Sequence, residues 1–298
     1  MNILIAGGTG MIGSFLSEKL ISKGHQVHIL SRHPQANSQP PQFWWDLKTE
    51  NVDPNAYTGV EAIVNLSGAG VADKRWTEVY KKQILESRTK SAQILLKNIP
   101  SNSHIHTYVS ASGVAAYGID TGDKWMSEES PYDSDYLAQV VKSWETEALK
   151  AEEKGIRTVC LRTAVVLSGK GGALPKMALP IKLFLGSPFG TGNQYFPWID
   201  IEDLTCLYTL AIESPSMRGI YNAAAPNPVT NREFTESLAL HLHRPLWIPN
   251  VPAWALKIAV GEMASTLVGG NKVSSQKALD TGFVFASPRP EDSFKRHL

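Results

Sequence analysis

Short apolar segments alternate along the chain with segments in which apolar residues recur at helical spacing. Asn2–Ala6 is a short apolar run of the kind found in strands buried on both faces of a sheet. In the segment that follows, Ile12, Phe15 and Leu16 fall on one helical face, and Gly24 stands where that helix should end. Further strands are predicted at residues 25–30, 43–47, 60–65, 106–112 and 157–168, and helices at 78–96, 135–147, 231–243 and 253–268. This alternation predicts an α/β fold with a parallel sheet, followed by a smaller, mainly helical C-terminal lobe.

Three glycines, Gly7, Gly10 and Gly13, lie between the first predicted strand and the first predicted helix. A strand, a glycine turn and a helix start bring free backbone N–H groups and the positive end of a helix dipole to one point, which favours a pyrophosphate. We therefore predict a Rossmann doubly wound sheet that binds a dinucleotide, with a tight turn that binds nothing as the alternative. The predicted cofactor contacts in this turn are Gly7, Thr9, Gly10, Met11, Ile12 and Gly13.

The second predicted strand ends in Ser31-Arg32-His33 and carries no carboxylate there. In NAD-binding folds an acidic residue at this place binds the ribose hydroxyls. An arginine can instead grip a 2′-phosphate with two parallel hydrogen bonds. Ser31 and Arg32 therefore predict NADP as the cofactor, with NADPH preferred over NADH. The alternative is that Arg32 is a solvated loop charge.

Composition and charge exclude several classes of partner. The 298 residues are 43% hydrophobic and 19% charged, with a net charge of +1, so no global field would recruit nucleic acid or an anionic membrane. No stretch reaches the roughly 18 apolar residues that a membrane span requires. Both cysteines lie in apolar contexts, which favours free thiols and a cytoplasmic location. The His104/His106 and His241/His243 pairs lack an evident third ligand, so no metal site is predicted.

The run Gly7-Gly8-Thr9-Gly10-Met11-Ile12-Gly13 resembles the opening of the extended short-chain dehydrogenase/reductase superfamily, which includes the epimerases and dehydratases. Later segments resemble one branch of it more closely, the YfcH-type group named after nucleoside-diphosphate-sugar epimerases. These segments are Asp73-Lys-Arg-Trp, Leu161-Arg-Thr, Gly171-Gly-Ala-Leu-Pro-Lys-Met, Trp198-Ile-Asp-Ile-Glu-Asp and Ala225-Pro-Asn-Pro-Val-Thr-Asn-Arg-Glu-Phe. The resemblance implies an NADP-binding domain over residues 1–225, with substrate loops from 171–200, and a substrate-side lobe over 226–298.

The resemblance also implies roles for residues at the ends of the later strands. An acidic and an apolar residue after the third strand lie by the adenine in the family, and small residues after the fourth strand approach the cofactor. A serine at the end of the fifth strand binds the substrate oxygen, and the nearby tyrosine lines the same pocket. By this reasoning the further cofactor residues are Asp46, Leu47, Asn65, Ser67, Gly68 and Arg162, and the catalytic residues are Ser112 and Tyr117. For Asp46, an exposed aspartate that ends a strand is the alternative, and Ser112 could also serve only to cap a loop.

The Tyr-x-x-x-Lys pair that moves the proton in the superfamily is missing. Tyr136 is followed four residues later by Val140, and Lys142 lies about 240° round the helix from Tyr136. If the helix is instead aligned on Glu145, Leu137 and Val141 fill the two positions. Another donor, Tyr117 or water, would then have to move the proton.

Two functions therefore remain open at this stage. The first is an NADP-dependent oxidoreductase or epimerase that acts on a small carbonyl compound or a sugar nucleotide, through a non-standard proton relay. The second is a redox-silent NADP-binding sensor or partner-binding protein on the same fold. By analogy with relatives that pair through their long helices, the molecule is expected to be a monomer or a homodimer.

Overall fold

A computed structural model describes all residues from Met1 to Leu298. Eight strands form one sheet in the order β11-β8-β6-β5-β1-β2-β3-β4, in which only β4 runs antiparallel to its neighbour. These strands are β1 (Asn2–Ala6), β2 (Gln26–Ser31), β3 (Gln42–Asp46), β4 (Asn51–Val52), β5 (Ala62–Asn65), β6 (Thr107–Gly113), β8 (Arg157–Thr163) and β11 (Gly219–Ala223). Two further pairs of short strands are β7 (Trp125–Met126) with β12 (Lys272–Val273), and β9 (Val165–Leu167) with β10 (Trp198–Asp200). The predicted doubly wound α/β fold is confirmed.

Helices cover both faces of the large sheet. Leu16 of the first helix and Leu204 of the fifth pack on one face, and Ile94 of the second and Ala148 of the third pack on the other. The helices are α1 (Met11–Ser22), α2 (Glu78–Lys97), α3 (Tyr136–Leu149), α4 (Ala173–Lys182), α5 (Ile201–Glu213), α6 (Asn231–His241), α7 (Ala253–Val260), α8 (Ala264–Val268), α9 (Gln276–Leu279) and α10 (Pro290–His297). No helix combines the length and the apolar character that crossing a membrane requires.

Two predicted elements are interrupted in the structure. The strand predicted at 157–168 is split at Ala164, because the chain leaves the large sheet after Thr163 and pairs with β10 from Val165 onward. The helix predicted at 253–268 is divided into α7 and α8 at Gly261, whose φ of +70° does not continue an α-helix. Both interruptions lie beside the cavity described below, which Val165 and Gly261 help to line.

The C-terminal helices share a small core with α4 and β10 and are also attached to the large sheet. Leu174 of α4, Phe234 of α6 and Phe294 of α10 meet in one buried cluster with Trp198 of β10. The lobe also crosses the molecule to pair β12 with β7. These attachments place α7 and α8 over the carboxyl edge of the sheet.

Candidate functional site

The carboxyl ends of the parallel strands bring most of the predicted site residues to one edge of the sheet. Strand order reverses direction at β1, which pairs with β2 on one side and β5 on the other, and Ala6 is in register with Asn65. In open α/β sheets such a reversal leaves a crevice at the carboxyl ends, and ligands bind there. The predicted phosphate turn begins directly after Ala6, so it opens into this crevice.

The glycines of the phosphate turn occupy their positions for different structural reasons. Gly7 has a φ of +81°, and a Cβ placed on it would lie 2.9 Å from the backbone of Leu66. A Cβ on Gly13 would lie 2.3 Å from the carbonyl oxygen of Gly7, so Gly13 allows α1 to pack against the turn. A Cβ on Gly10 would meet nothing closer than 3.3 Å. The backbone at Gly10 is therefore approachable from the crevice, as binding of a pyrophosphate requires.

The N-terminus of α1 fits an anionic ligand. No side chain caps the helix, and its first turn contains no acidic residue. The N–H groups at Met11, Ile12 and Gly13 thus start a helix that has no protein acceptor at its positive end. Thr9 lies exposed within the same turn.

Arg32, after β2, is free to bind a ligand, whereas Asp46, at the end of β3, is hydrogen-bonded within the protein. Arg32 is exposed directly after β2 and makes no ion pair, while the Ser31 hydroxyl accepts a hydrogen bond from the backbone N–H of His33 at 3.2 Å. The Asp46 carboxylate accepts hydrogen bonds from the N–H groups of Lys48 and Thr49, which lower its pKa. Asp46 therefore holds the turn after β3, and half-buried Leu47 packs on the core beside it; the contact of both residues with the adenine stays a prediction.

After β5, Asn65 builds the loop and does not face the crevice. Its side chain is fully buried, donates to Ser91 and Tyr108, and accepts from the N–H of Ser67. Gly68 is exposed, and a Cβ there would lie 3.1 Å from the guanidinium carbon of Arg88. The sequence reasoning missed Arg88, which donates to the carbonyls of Ala69 and Ile84 at 3.0 and 2.9 Å and holds this loop in place.

Ser112 lies in a buried cluster centred on Glu145. The serine hydroxyl donates to Glu145 Oε1 at 2.5 Å, and Tyr132 donates to Oε2. Arg162 grips the same carboxylate with two hydrogen bonds of 2.9 Å, and both charged side chains are only 1% exposed. Burial alone would lower the pKa of Arg162, but the bonds to Glu145 raise it above its usual value. The cluster is thus a permanent buried ion pair with its hydroxyl donors.

Tyr117 is tied into the same region. Its hydroxyl donates to Asn222 Oδ1 at 2.5 Å, its ring lies 5.0 Å from the Arg162 guanidinium, and burial raises its pKa to about 12. Ser112 is 5% and Tyr117 2% exposed, and neither residue lines the cavity described below. The hydroxyls of Ser112 and Tyr117 are thus bonded within the protein, while Arg162 keeps one buried nitrogen, Nη1, without a partner; the contacts predicted for these residues with substrate and cofactor stay predictions.

Apolar residues stand where the superfamily places its proton relay. The Cβ direction of Gly113 points at Val141, whose Cγ2 would lie 3.7 Å away. Leu137, one turn earlier on α3, lines the cavity. Ser112 also meets α3, but one helical turn after Val141, where it bonds to Glu145. Gly113, Leu137 and Val141 supply no proton donor.

A cavity of about 1130 Å³ extends from this apolar wall to the C-terminal lobe. One side is formed by residues 70–73 and Trp76, and the other by α4, α7 and the segment 261–271. Tyr136 lines it with a phenol that donates to the carbonyl of Lys81 at 2.8 Å, and burial raises the pKa of that phenol. Its size suits a drug-sized ligand together with the reactive end of a cofactor.

Residues 73–76 both line the cavity and contact the C-terminal lobe. Asp73 and Trp76 line it, but Arg75 donates to the carbonyls of Ile258 and Ala259 in α7, at 2.9 and 3.0 Å. Nearby, Lys81 pairs with Glu262 at 2.5 Å. We call these two contacts the lobe latch, since they join α2 and its preceding loop to the C-terminal lobe.

Comparison with known proteins identifies relatives over the whole length. Residues 3–224 match the model of the NAD dependent epimerase/dehydratase family, and residues 251–296 match a domain of unknown function, DUF1731. The chain is 36% identical over 289 residues to the epimerase family protein YfhF of Bacillus subtilis, covering 96% of this chain and 94% of the relative. It is 34% identical to human epimerase family protein SDR39U1, over 97% of this chain and 96% of the relative.

Solved structures agree with this relationship. The human SDR39U1 structure with NADPH superposes with a TM-score of 0.88 at 33% identity, covering 99% of this chain and 98% of that one. A nucleoside-diphosphate sugar epimerase from Corynebacterium glutamicum gives a TM-score of 0.81 at 30% identity, covering all of this chain and 58% of the other. A Thermus thermophilus UDP-glucose 4-epimerase in complex with NAD, at 19% identity and a TM-score of 0.77, shares the fold.

Proposed function

The chain belongs to the NAD dependent epimerase/dehydratase family, and on that premise we propose that it is an NADP(H)-dependent oxidoreductase or epimerase. The observation that carries the proposal is the continuity of the phosphate turn with the cavity. Gly172 lines the cavity, and a Cβ placed on it would lie 3.1 Å from the side chain of Met11, the first residue of α1. A dinucleotide bound at α1 would thus reach a pocket that has room for a second molecule.

The residues of the chain fit NADP(H) in three ways. The glycine turn and the uncapped start of α1 bind the pyrophosphate, and Arg32 binds the 2′-phosphate. Relatives support this choice, since human SDR39U1 has been crystallised with NADPH. When bound, the cofactor supplies or accepts a hydride. The substrate class is a small carbonyl compound or a sugar nucleotide, as in the Corynebacterium relative named as a nucleoside-diphosphate sugar epimerase.

The proton has to come from a group other than the usual pair. Tyr136 is the phenol at the apolar end of the cavity, next to Leu137. A phenol of ordinary pKa is already protonated at neutral pH, and burial raises the pKa of Tyr136 further, so its hydroxyl can donate to a substrate oxygen after releasing the Lys81 carbonyl. The Lys81 ammonium, 5.6 Å from the Tyr136 ring centre, would stabilise the negative charge that develops.

The first test is isothermal titration with NADPH and NADH, with wild type beside Arg32→Ala. Tight NADPH binding, weaker NADH binding and a loss in the variant confined to NADPH would support the cofactor assignment. Absence of binding to either dinucleotide would overturn it. Equal binding of both would show that Arg32 does not select the 2′-phosphate.

The second test follows hydride transfer. Carbonyl compounds are incubated with NADPH deuterated at C4, and deuterium in their products is measured by mass spectrometry; sugar nucleotides are incubated with NADP+, and their epimerisation is followed by nuclear magnetic resonance. Deuterium transfer that falls at least tenfold in Tyr136→Phe, with unchanged NADPH affinity, supports turnover with Tyr136 as the donor.

A redox-silent NADP-binding protein is the second candidate, and the apolar relay positions Gly113, Leu137 and Val141 favour it. It predicts tight NADPH binding, no deuterium transfer to any carbonyl compound, no epimerisation of any sugar nucleotide, and no effect of Tyr136→Phe on its biological role. The second test therefore separates the two functions, while the titration tests what they share.

A further inference from the structure

The loop from Ser168 to Gly172, Ser-Gly-Lys-Gly-Gly, connects β9 to α4, and the proposed function uses only Gly172 of it. Its first residues are held firmly. Ser168 is fully buried, and its hydroxyl accepts a hydrogen bond from the N–H of Lys170 at 3.2 Å. A Cβ on Gly169 would lie 2.6 Å from the carbonyl oxygen of His297, so the loop packs against α10. Its path over the protein is fixed by these contacts.

The second half of the loop lies on the start of α1. A Cβ on Gly171 would be 3.7 Å from the sulfur of Met11, and one on Gly172 would be 3.1 Å from its terminal methyl group. Both glycines have positive φ, +155° and +76°, which favours glycine at these places. The loop therefore covers the end of α1 at which the phosphate turn exposes its N–H groups.

Lys170 places a positive charge at this end of α1. Its ammonium lies 4.8 Å from the ring centre of Phe15, which is one helical turn from Met11, and it forms no ion pair. A cation near the N-terminus of a helix is unfavourable, because it repels the positive end of the dipole. The first turn of α4 starts beside it, also uncapped and without an acidic residue. The Lys170 ammonium and the starts of α1 and α4 thus lie on adjoining segments, and none of the three is paired with a protein anion.

We propose that Lys170 binds the pyrophosphate of the dinucleotide and, with Gly171 and Gly172, closes the cofactor site from the side opposite the phosphate turn. An anion at that place satisfies both helix N-termini and the ammonium together. This inference rests on the proposed binding of NADP(H), and adds a residue that the glycine motif does not include. Lys170 acts on the part that NADPH and NADH share, whereas Arg32 acts on the 2′-phosphate that only NADPH carries.

The test is titration of NADPH and NADH into wild type, Lys170→Met, Arg32→Ala and Lys182→Met. Lys182 is an exposed lysine at the far end of α4 and serves as the matched control. Lys170→Met is expected to weaken both dinucleotides by a similar factor, roughly tenfold or more, and to leave the NADPH-to-NADH ratio unchanged. Arg32→Ala is expected to weaken NADPH alone, and Lys182→Met neither.

Unchanged affinities in Lys170→Met, with a melting temperature equal to that of wild type, would overturn the inference while leaving the proposed function intact. A loss confined to NADPH would also overturn it, because it would place Lys170 at the 2′-phosphate. Wild type that binds neither dinucleotide would remove the proposed function and this inference with it. Recovery of both affinities in Lys170→Arg would support the role of the charge.

Discussion

Glu145 decides the orientation of the residues that sequence reasoning regarded as catalytic. It is a buried carboxylate that receives two hydrogen bonds from Arg162 and one each from Ser112 and Tyr132. Removing one partner of such a pair leaves an uncompensated charge away from water, which costs far more than the pair contributes. The cluster therefore binds α3 to the sheet and does not turn toward a ligand.

Replacement of Glu145 by Gln is expected to lower the free energy of unfolding by about 3 to 5 kcal/mol, since Arg162 would be left buried without a counter-charge. Urea denaturation followed by circular dichroism measures the change. Glu147→Gln is the control on the same helix, because Glu147 pairs with a half-exposed Lys150. It should cost less than about 1 kcal/mol. Equal effects of the two substitutions would contradict the assignment.

At the residue scale, the sequence predicts the chemistry of the cofactor end better than that of the substrate end. The glycine turn and Arg32 are adjacent along the chain to the strands that position them. Ser112 and Glu145 are 33 residues apart, and only the packing of α3 on β6 reveals that they are bonded. The pattern of residues around Glu145, with Leu137 eight positions earlier, was visible in the sequence. This pattern correctly indicated that the Tyr-x-x-x-Lys pair is missing. It did not reveal that Glu145 is the partner of Ser112.

At the scale of elements, the turn between β1 and α1 separates two roles that glycine can have. Gly13 is required for packing, and Gly10 leaves the backbone open to a ligand.

Sequence patterns missed the break in one of the predicted strands. Apolar runs predicted the strands of the large sheet, but the break after Thr163 depends on pairing with β10, more than 30 residues later. Periodicity within a segment carries no information about such a partner.

The two glycines predict opposite outcomes for the same substitution. Gly13→Ala is expected to destabilise the fold by at least about 2 kcal/mol, because its methyl group would collide with the Gly7 carbonyl. Gly10→Ala is expected to change stability by less than about 1 kcal/mol and to weaken NADPH at least tenfold, because its methyl group would occupy the approach to the pyrophosphate. Thermal melting and titration on both variants provide the check. Loss of stability in Gly10→Ala, or normal NADPH binding by that variant, would contradict the assignment of a packing role to Gly13 and of ligand access to Gly10.

At the scale of the whole molecule, two of the joints between the C-terminal lobe and the sheet domain differ in burial. The lobe latch joins α7 to the loop before α2, at exposed residues on the surface of the cavity. The other joint is buried, where Asp200 at the start of α5 accepts hydrogen bonds from Ser293 and His297 of α10, at 2.6 and 2.9 Å. The two joints should therefore respond differently to mutation.

Arg75→Ala is expected to increase amide hydrogen exchange in residues 253–263 while leaving the exchange of the sheet unchanged. The reason is that the Ile258 and Ala259 carbonyls lose their side-chain donor, and α7 has a single buried side chain, Leu256, to hold it. Hydrogen–deuterium exchange with mass spectrometry measures this. Lys82→Ala is the control, because it removes an exposed lysine from the start of α2, close to Arg75 along the chain. Equal protection of α7 in all three proteins would show that the latch does not restrain it.

The buried joint predicts a dependence of stability on pH. Burial acts to raise the pKa of Asp200, but the hydrogen bonds from His297, Ser293 and the N–H of Glu202 outweigh it and lower the pKa below its usual value of 3.8. The stabilisation by the carboxylate is therefore complete above pH 3.8 and is lost as the pH falls through the lower folded-state value.

Urea denaturation of wild type and Asp200→Asn between pH 6 and pH 2.5 tests this dependence. The stability advantage of wild type should be constant above about pH 5 and should shrink below about pH 4, since only wild type gains a proton at this position on unfolding. An advantage that stays constant down to pH 2.5 would contradict a lowered pKa at Asp200.

The contact between His297 and Asp200 also has a consequence for the order in which the chain is made. Helix α10 follows all eight strands of the large sheet along the chain, so it leaves the ribosome after those strands are available to pair. Until α10 arrives, the buried Asp200 carboxylate has neither Ser293 nor His297 as a donor, and the loop that carries Lys170 lacks the surface on which it packs. We therefore expect that a nascent chain acquires its sheet early but completes the predicted cofactor site only once α10 has emerged and packed.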